Sequence, residues 1–264
     1  MPFIDIFCYF ALHLQMLMKF LGIIPARFGS SRLEGKPLAD INGKPMIRWV
    51  YEKACEALET IYVATDDERI YDAVSGFGGR VVMTSRKHTT GTNRCLEALQ
   101  TINNSETTPF DAVINIQGDE PMMAPEQIST LIKCFEDPET ALATLVIPVT
   151  DEFDLQNESE VFVTFDSNMQ ALYFSRSVIP FVHGVPKNEW LEHNTFYKHI
   201  GLYAYTAEAL TKFASLSTSH LEKVEKLEQN RWMEHGGTIK VGITHHKSIP
   251  VDTPEDLERV RKMI

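Results

Sequence analysis

The sequence predicts an α/β protein: a mostly parallel sheet flanked by helices, with an antiparallel insertion in the second half. Three observations carry that expectation. From Leu21 to about residue 150, short apolar runs alternate with amphipathic stretches, the pattern left by right-handed strand–helix–strand crossovers. Two of the amphipathic stretches, and the last helix of the chain, open on a proline. Beyond residue 150 the spacing turns to short paired runs separated by a turn.

The elements follow in order. Leu21–Ile24, Ile61–Thr65, Val81–Thr84, Ala112–Ile116 and Ala143–Val149 are continuous apolar runs rich in Val and Ile, as strands covered on both faces require. After Pro45, the residues Ile47, Val50, Tyr51, Ala54 and Leu58 recur at helical spacing. Pro125 opens a second such stretch, with Ile128, Leu131, Ile132 and Phe135 along one face. Val161–Phe165 and Ala171–Phe174 flank an Asp166-Ser167-Asn168 turn and predict a hairpin. Residues 182–195 predict a loop, Ile200–Tyr205 a strand, Leu221–Met233 one charged helix and Thr238–Ile243 a further strand. Thr253-Pro254-Glu255-Asp256 reads as the capped start of a C-terminal helix.

Composition bounds the function. The 264 residues carry 25 basic and 36 acidic side chains, a net charge of −11, which argues against coating a nucleic acid. A local basic pocket for a small phosphate-bearing ligand stays possible. Cys8, Cys55, Cys95 and Cys134 are too widely spaced for a C-x-x-C unit and read as buried free thiols. Residues 1–17 are apolar but include Asp5, His13 and Gln15, too short a run to span a bilayer and without a basic n-region. Met18 is a plausible alternative start. Residues 1–17 are therefore expected to be an extension without functional role, with 18–264 forming a single domain.

Three segments carry chemistry. Pro25 to Pro37 follows the first strand directly, where open α/β sheets bind ligands. It is not a Walker A loop, since five residues separate Gly29 from Gly35 and Pro37 follows Lys36. Its glycines and the cations Arg27, Arg32 and Lys36 nonetheless suit a polyphosphate. Asn115 to Pro121 ends a strand in Gln117, Gly118, Asp119 and Glu120, placing a carboxylate where Mg²⁺ could share substrate phosphates. Gln117 can both donate to and accept from a base or sugar edge. Asp252 precedes the capping Thr253; it is either a helix-start acid or a second carboxylate opposite Asp119.

The blocks IIPARFGSSRLEGKPLADI, VATDD, NIQGDEP, ALYFSRSVIP, KHIGLYAY, EKLEQNRW and VDTPEDLERV occur in this order over nearly the whole chain after Met18. Together they closely resemble the 3-deoxy-manno-octulosonate cytidylyltransferases, the CMP-Kdo synthetases. The resemblance implies a glycosyltransferase-A-like nucleotidyltransferase fold, a cytoplasmic homodimer and a Mg²⁺ requirement. It implies CTP and Kdo as substrates, CMP-Kdo and diphosphate as products, and a role in lipopolysaccharide assembly. It implies no nucleic-acid partner and no stable membrane association.

Residue by residue, the resemblance assigns Arg27 and Lys36 to the CTP phosphates, with Ser30, Ser31 and Arg32 in the same loop. Thr65, Asp66 and Gln117 would lie beside the nucleotide, and Asp119 and Asp252 would hold the metal. Arg176, His199, Tyr203, Glu228 and Gln229 would line the sugar pocket, with Arg176 pairing the carboxylate. Residues 150–205 would contribute the hairpin insertion to that pocket and to the dimer interface. Five positions depart from the family pattern: Glu34, Asn93, Phe162, Thr206 and Asn230 stand where Pro, an acid, Lys, a basic residue and Leu are usual. Two alternatives stand beside the main reading: a cytidylyltransferase for 8-amino-Kdo or a sialic acid, and a paralogue that binds nucleotide without turnover.

Overall fold

A computed structural model describes residues 18–29 and 32–264. The expectation for residues 1–17 lies outside the described residues. In chain order the elements are β1 (Phe20–Ala26), β2 (Asp40–Ile41), β3 (Lys44–Pro45), α1 (Met46–Cys55), β4 (Ile61–Thr65), α2 (Glu68–Gly76), β5 (Val81–Met83) and α3 (Gly91–Asn103). They continue as β6 (Ala112–Asn115), α4 (Pro125–Lys133), β7 (Leu142–Pro148), β8 (Phe162–Phe165), β9 (Ala171–Ser175), α5 (Trp190–His193) and β10 (Tyr197–Thr206). The chain closes with α6 (Ala207–Ser215), α7 (His220–Glu225), α8 (Gln229–Glu234), β11 (Lys240–Ile243) and α9 (Pro254–Arg261).

Nine strands form one mixed sheet with the order β11-β7-β10-β6-β1-β4-β5, and β8 and β9 extend from β10. The pairings set β1, β4, β5, β6, β7, β8 and β11 in one direction, with β9 and β10 against them. The mostly parallel sheet and its antiparallel hairpin are therefore as the sequence predicts. Leu21, Ile23 and Ile24 of β1 are all fully buried, because the sheet is covered on both faces. On one face Leu21 and Ile23 meet Cys95, Ala98 and Leu99 of α3 and Phe213 of α6. On the other Ile24 joins Ile47 and Val50 of α1, Ile70 of α2 and Ile128 of α4.

The helix starts obey local rules. Thr90 and Thr206 cap α3 and α6 by accepting from Asn93 N and Ala209 N. Thr206 is thus explained as a cap. Pro125 and Pro254 sit at first helical positions, where a missing N–H costs nothing.

Two expectations fail for tertiary reasons. Leu221–Met233 is not one helix: α7 ends at Glu225, and Lys226 adopts a left-handed φ of 57° before α8 begins. The Glu225 carboxylate is held by Tyr173 Oη, Ser175 Oγ and Arg176 N of the hairpin, and its carbonyl accepts from Arg176 Nε. The hairpin thereby takes the carbonyl that a continuing helix would use. Residues 182–195 are not wholly loop, because Trp190 anchors α5 by donating to Val185 O and stacking on Phe196 at 5.7 Å. Phe162 fills the same satellite core, only 1% exposed beside Leu155 and Trp190. Cys95 is buried as expected, whereas Cys55 is exposed at the end of α1.

Candidate active site

The site is built at the carboxyl edge of β1, β4 and β6. β1 delivers Arg27, which is exposed at the head of the loop. The loop closes where Gly35 N donates to Phe28 O at 3.0 Å. Gly35 has a φ of 66°, and a Cβ there would stand 3.0 Å from the Phe28 ring. Ser30 and Ser31, expected in this loop, lie outside the described residues. Glu34 is exposed and does not enter the cavity, so the unusual acid leaves the cation cluster intact.

Lys36 is the centre of the cluster. Its Nζ lies 2.6 Å from Asp119 Oδ2 and 3.1 Å from Asp252 Oδ1, and Arg32 Nη2 lies 3.0 Å from the same Asp252 oxygen. Val251 N donates to Asp119 O at 2.9 Å, which brings the C-terminal segment against the end of β6. Gly118 permits this crowding, since a Cβ there would sit 3.2 Å from Pro25 O. Capping of α9 falls to Thr253 and Asp256, whose carboxylate accepts from the Asp252 and Thr253 N–H groups. The cap therefore does not use the Asp252 carboxylate, which instead pairs with Arg32 and with Lys36 beside Asp119.

Two carboxylates converging on one cation fit Mg²⁺, which takes oxygen donors and keeps waters and phosphate oxygens in its shell. Among the described residues no group of three or more His, Cys, Asp or Glu side chains could hold a metal. The protein would therefore supply only part of such a shell. Next to Asp119, burial pushes Glu120 up to about 7, with the Asp119 charge adding to the shift.

Arg27, Arg32, Lys36, Asp119 and Asp252 line one end of a 310 Å³ cavity. Its other end is formed by the start of α3 and the segment before it, including His88, Gly91 and Arg94. Arg94 is 3% exposed and donates to Thr84 Oγ1 at 2.6 Å and Asp66 Oδ2 at 2.8 Å. Thr65 and Asp66, expected beside the nucleotide, do not line this cavity. Asp66 instead holds Arg94 and stands one residue behind the wall, while Thr65 stands two behind it, its carbonyl holding Thr84, which in turn accepts from Arg94. Sequence reasoning missed Arg94 and His88. The available signal was a cation, Arg94, in the first turn of an amphipathic helix, a place where acids are usual.

A second cavity of 350 Å³ shares Pro25, Gly91 and Gln117 with the first. Gln117 Nε2 donates to Gly201 O at 2.8 Å, which pins β6 to the irregular stretch of β10. His199, Tyr203, Glu228 and Gln229, assigned by the resemblance to one pocket, all line this cavity; Arg176, assigned with them, does not. Arg176 is exposed, and its guanidinium donates to Glu225 O at 2.9 Å and Ser159 O at 3.3 Å.

The cavity mixes polar and apolar walls, and Lys226 and Glu228 are its charged side chains. Burial pushes His199 down to about 3, so the ring is neutral. Thr144 Oγ1 lies within hydrogen-bond reach of the Ile200 and Leu202 carbonyls at 3.2 and 2.9 Å, and 3.0 Å from His199 Nε2. With the single hydroxyl proton given to a carbonyl, the proton of the ring is assigned to Nε2, leaving Nδ1 as an acceptor. Glu228 accepts from Thr92 Oγ1 at 2.9 Å, and burial raises its pKa. Asn115 Oδ1, Glu228 Oε1 and Gln229 Nε2 are buried without a hydrogen-bond partner among the described residues, although Glu228 Oε1 lies 3.5 Å from Arg231 Nη2 in an ion pair. Such atoms are costly unless a ligand satisfies them, and two acceptors with a donor suit a polyhydroxylated molecule.

A cation-lined cavity joined to a second, hydroxyl-seeking one defines a nucleotidyltransferase. The chain belongs to the cytidylyltransferase family, whose family model matches residues 21–243, and within it to the 3-deoxy-manno-octulosonate cytidylyltransferases. It is 52% identical over 247 residues to the 3-deoxy-manno-octulosonate cytidylyltransferase of Parabacteroides distasonis, covering 92% of this chain and 97% of that protein. It is 48% identical to the 8-amino-3,8-dideoxy-manno-octulosonate cytidylyltransferase of Shewanella piezotolerans, covering 89% and 94%. A CMP:2-keto-3-deoxy-manno-octonic acid synthetase complexed with CTP superposes with a TM-score of 0.84 at 40% identity, over 93% of this chain and 98% of that one.

Proposed function

We propose that the protein transfers CMP from CTP to Kdo, giving CMP-Kdo and diphosphate and activating the sugar for lipopolysaccharide assembly. The single observation that carries this reading is the junction at Pro25, Gly91 and Gln117, where a phosphate-binding cavity opens into a sugar-sized one. A nucleotide in the first and a sugar in the second meet at that junction.

The chemistry is an in-line attack of the anomeric hydroxyl on the α-phosphate, with diphosphate leaving, and it calls mainly for positioning and charge neutralisation. Arg27, Arg32 and Lys36 grip the triphosphate. Gln117, Glu228, Gln229 and Asn115 orient the sugar, and Nδ1 of neutral His199 accepts from a sugar hydroxyl. Asp119 and Asp252 would hold Mg²⁺, which when bound acidifies the attacking hydroxyl and screens the phosphates. Lys36 balances the two carboxylates in the free protein and turns to phosphate when CTP arrives.

A second reading, transfer to the 8-amino sugar, is supported by the 48% identity to the Shewanella enzyme. A diphosphate-release assay with CTP and a panel of Kdo, 8-amino-Kdo and a sialic acid decides. Rapid release with Kdo is expected; release only with another sugar, or nucleotide binding without release, overturns the reading. The protein acts in the cytoplasm as a homodimer, with residues 150–205 at the interface. The insertion supports this by exposing Phe153 and Phe181 at 71% and 72%, and light scattering at twice the chain mass is the check. No helix among the described residues is long and apolar enough to cross a membrane.

A further inference from the structure

We propose that Lys226 is the side chain that reads the carboxylate of the acidic sugar, taking the role that the family resemblance gives to Arg176. The inference rests on the reading above, which requires an anionic sugar in the second cavity. That cavity offers a carboxylate little else. His199 is neutral, Tyr203 and Tyr205 stay protonated, and Glu228 repels a negative charge. Lys226 is the one Lys or Arg among its lining residues, and it makes no ion pair among the described residues.

Its place is built rather than incidental. A continuous helix from 221 to 233 would carry residue 226 round with the helix surface. The clamp on Glu225 ends α7, and Lys226 takes the left-handed turn that sets it at the mouth of the cavity. A non-glycine residue with such a φ is uncommon and points to a positional demand. Three residues on, Gln229 lines the same cavity, its Nε2 buried and without a hydrogen-bond partner among the described residues. The same clamp removes Arg176: its guanidinium is spent on the carbonyls of Glu225 and Ser159. One bond network thus withdraws one cation and presents another.

The test compares K226M, K226R and R176M in the diphosphate-release assay, with Kdo and CTP varied separately. Lys226 is exposed and unpaired, so thermal melting of K226M should match the wild type. K226M is expected to raise KM for Kdo about tenfold while KM for CTP stays within about twofold, the mark of one lost charge contact at a rim. K226R should recover most of that loss. The wild type should also bind Kdo better than its neutral carboxamide as a competitor, and K226M should lose that preference. An unchanged KM for Kdo in K226M, or a rise confined to R176M, overturns the proposal. A wild type that releases no diphosphate with any acidic sugar is a different result: it overturns the parent reading, and this one with it.

Discussion

Val251 N donates to Asp119 O at 2.9 Å, joining two residues 132 positions apart and setting the Asp119 and Asp252 carboxylates on either side of Lys36 Nζ. Without that bond Asp252 would be one more acid at a helix start.

Asp119→Asn and Asp252→Asn should each abolish most turnover, by about a hundredfold or more, because charge neutralisation at the phosphates carries this chemistry. Melting temperature should shift by only a few degrees, since both side chains are partly exposed. Near-normal kcat in either variant with Mg²⁺ present would remove the metal assignment.

Lys36→Met should raise KM for CTP and lower kcat together. It should also leave two facing carboxylates without their shared cation, destabilising the free protein by about 1 kcal/mol. Urea titration should show that loss shrinking as Mg²⁺ is added.

Asp66→Asn tests the wall behind the nucleotide cavity. Arg94 is almost wholly buried, and removing its carboxylate partner should cost about 3 kcal/mol. A loss below about 1 kcal/mol would mean that Arg94 reorganises. KM for CTP should rise as well, although Asp66 itself does not line the cavity.

Asn230→Leu should stabilise the protein by about 1 kcal/mol. Asn230 is 1% exposed, its Nδ2 donates to Phe174 O at 3.1 Å, and its Oδ1 has no partner among the described residues. Leucine removes the orphaned Oδ1 and buries more apolar surface, which is expected to outweigh the Phe174 carbonyl left without its donor and the larger side chain. A higher urea midpoint at constant slope is the expected result.

His199 should make stability fall with acid. Its folded pKa, about 3, lies below the usual 6.5, so the unfolded chain binds the extra proton between those values. The contribution is fully present above pH 6.5 and is lost as pH falls through that window, at up to about 1.4 kcal/mol per pH unit. His199→Gln should flatten this part of the curve, and identical pH profiles would show that the ring is not held neutral. Thr144, Phe174 and Tyr203 contact His199 and do not titrate there, but Glu228 lines the same cavity with its pKa raised by burial, so the His199→Gln comparison is made against a Glu228→Gln control.

The strands were legible because burial on both faces leaves unbroken apolar runs: Ile61–Thr65 has the predicted bounds, and the other predicted strands differ by at most three residues at an end. The phosphate loop and the two carboxylates were legible because their residue types are unusual for where they stand. The break at Lys226 was not, since the cause lies in Glu225 meeting Tyr173 and Ser175 some fifty residues earlier. Arg94 escaped for a related reason. Its partner Asp66 sits on the far side of a strand crossover, 28 positions away, and local spacing says nothing of such pairs. Arg176 was placed by motif alone, and the motif carried no information about which carbonyls would claim it.

Apart from Asp252, the first cavity is walled by residues 25–119; the second shares Pro25, Gly91 and Gln117 with it, adds Thr92 and Asn115 from the same stretch, and is otherwise walled by residues 142–229. The two cavities therefore draw on largely different stretches of one chain. Under the proposed function, substitutions within the second stretch would alter the choice of sugar while leaving the residues proposed for the triphosphate unchanged.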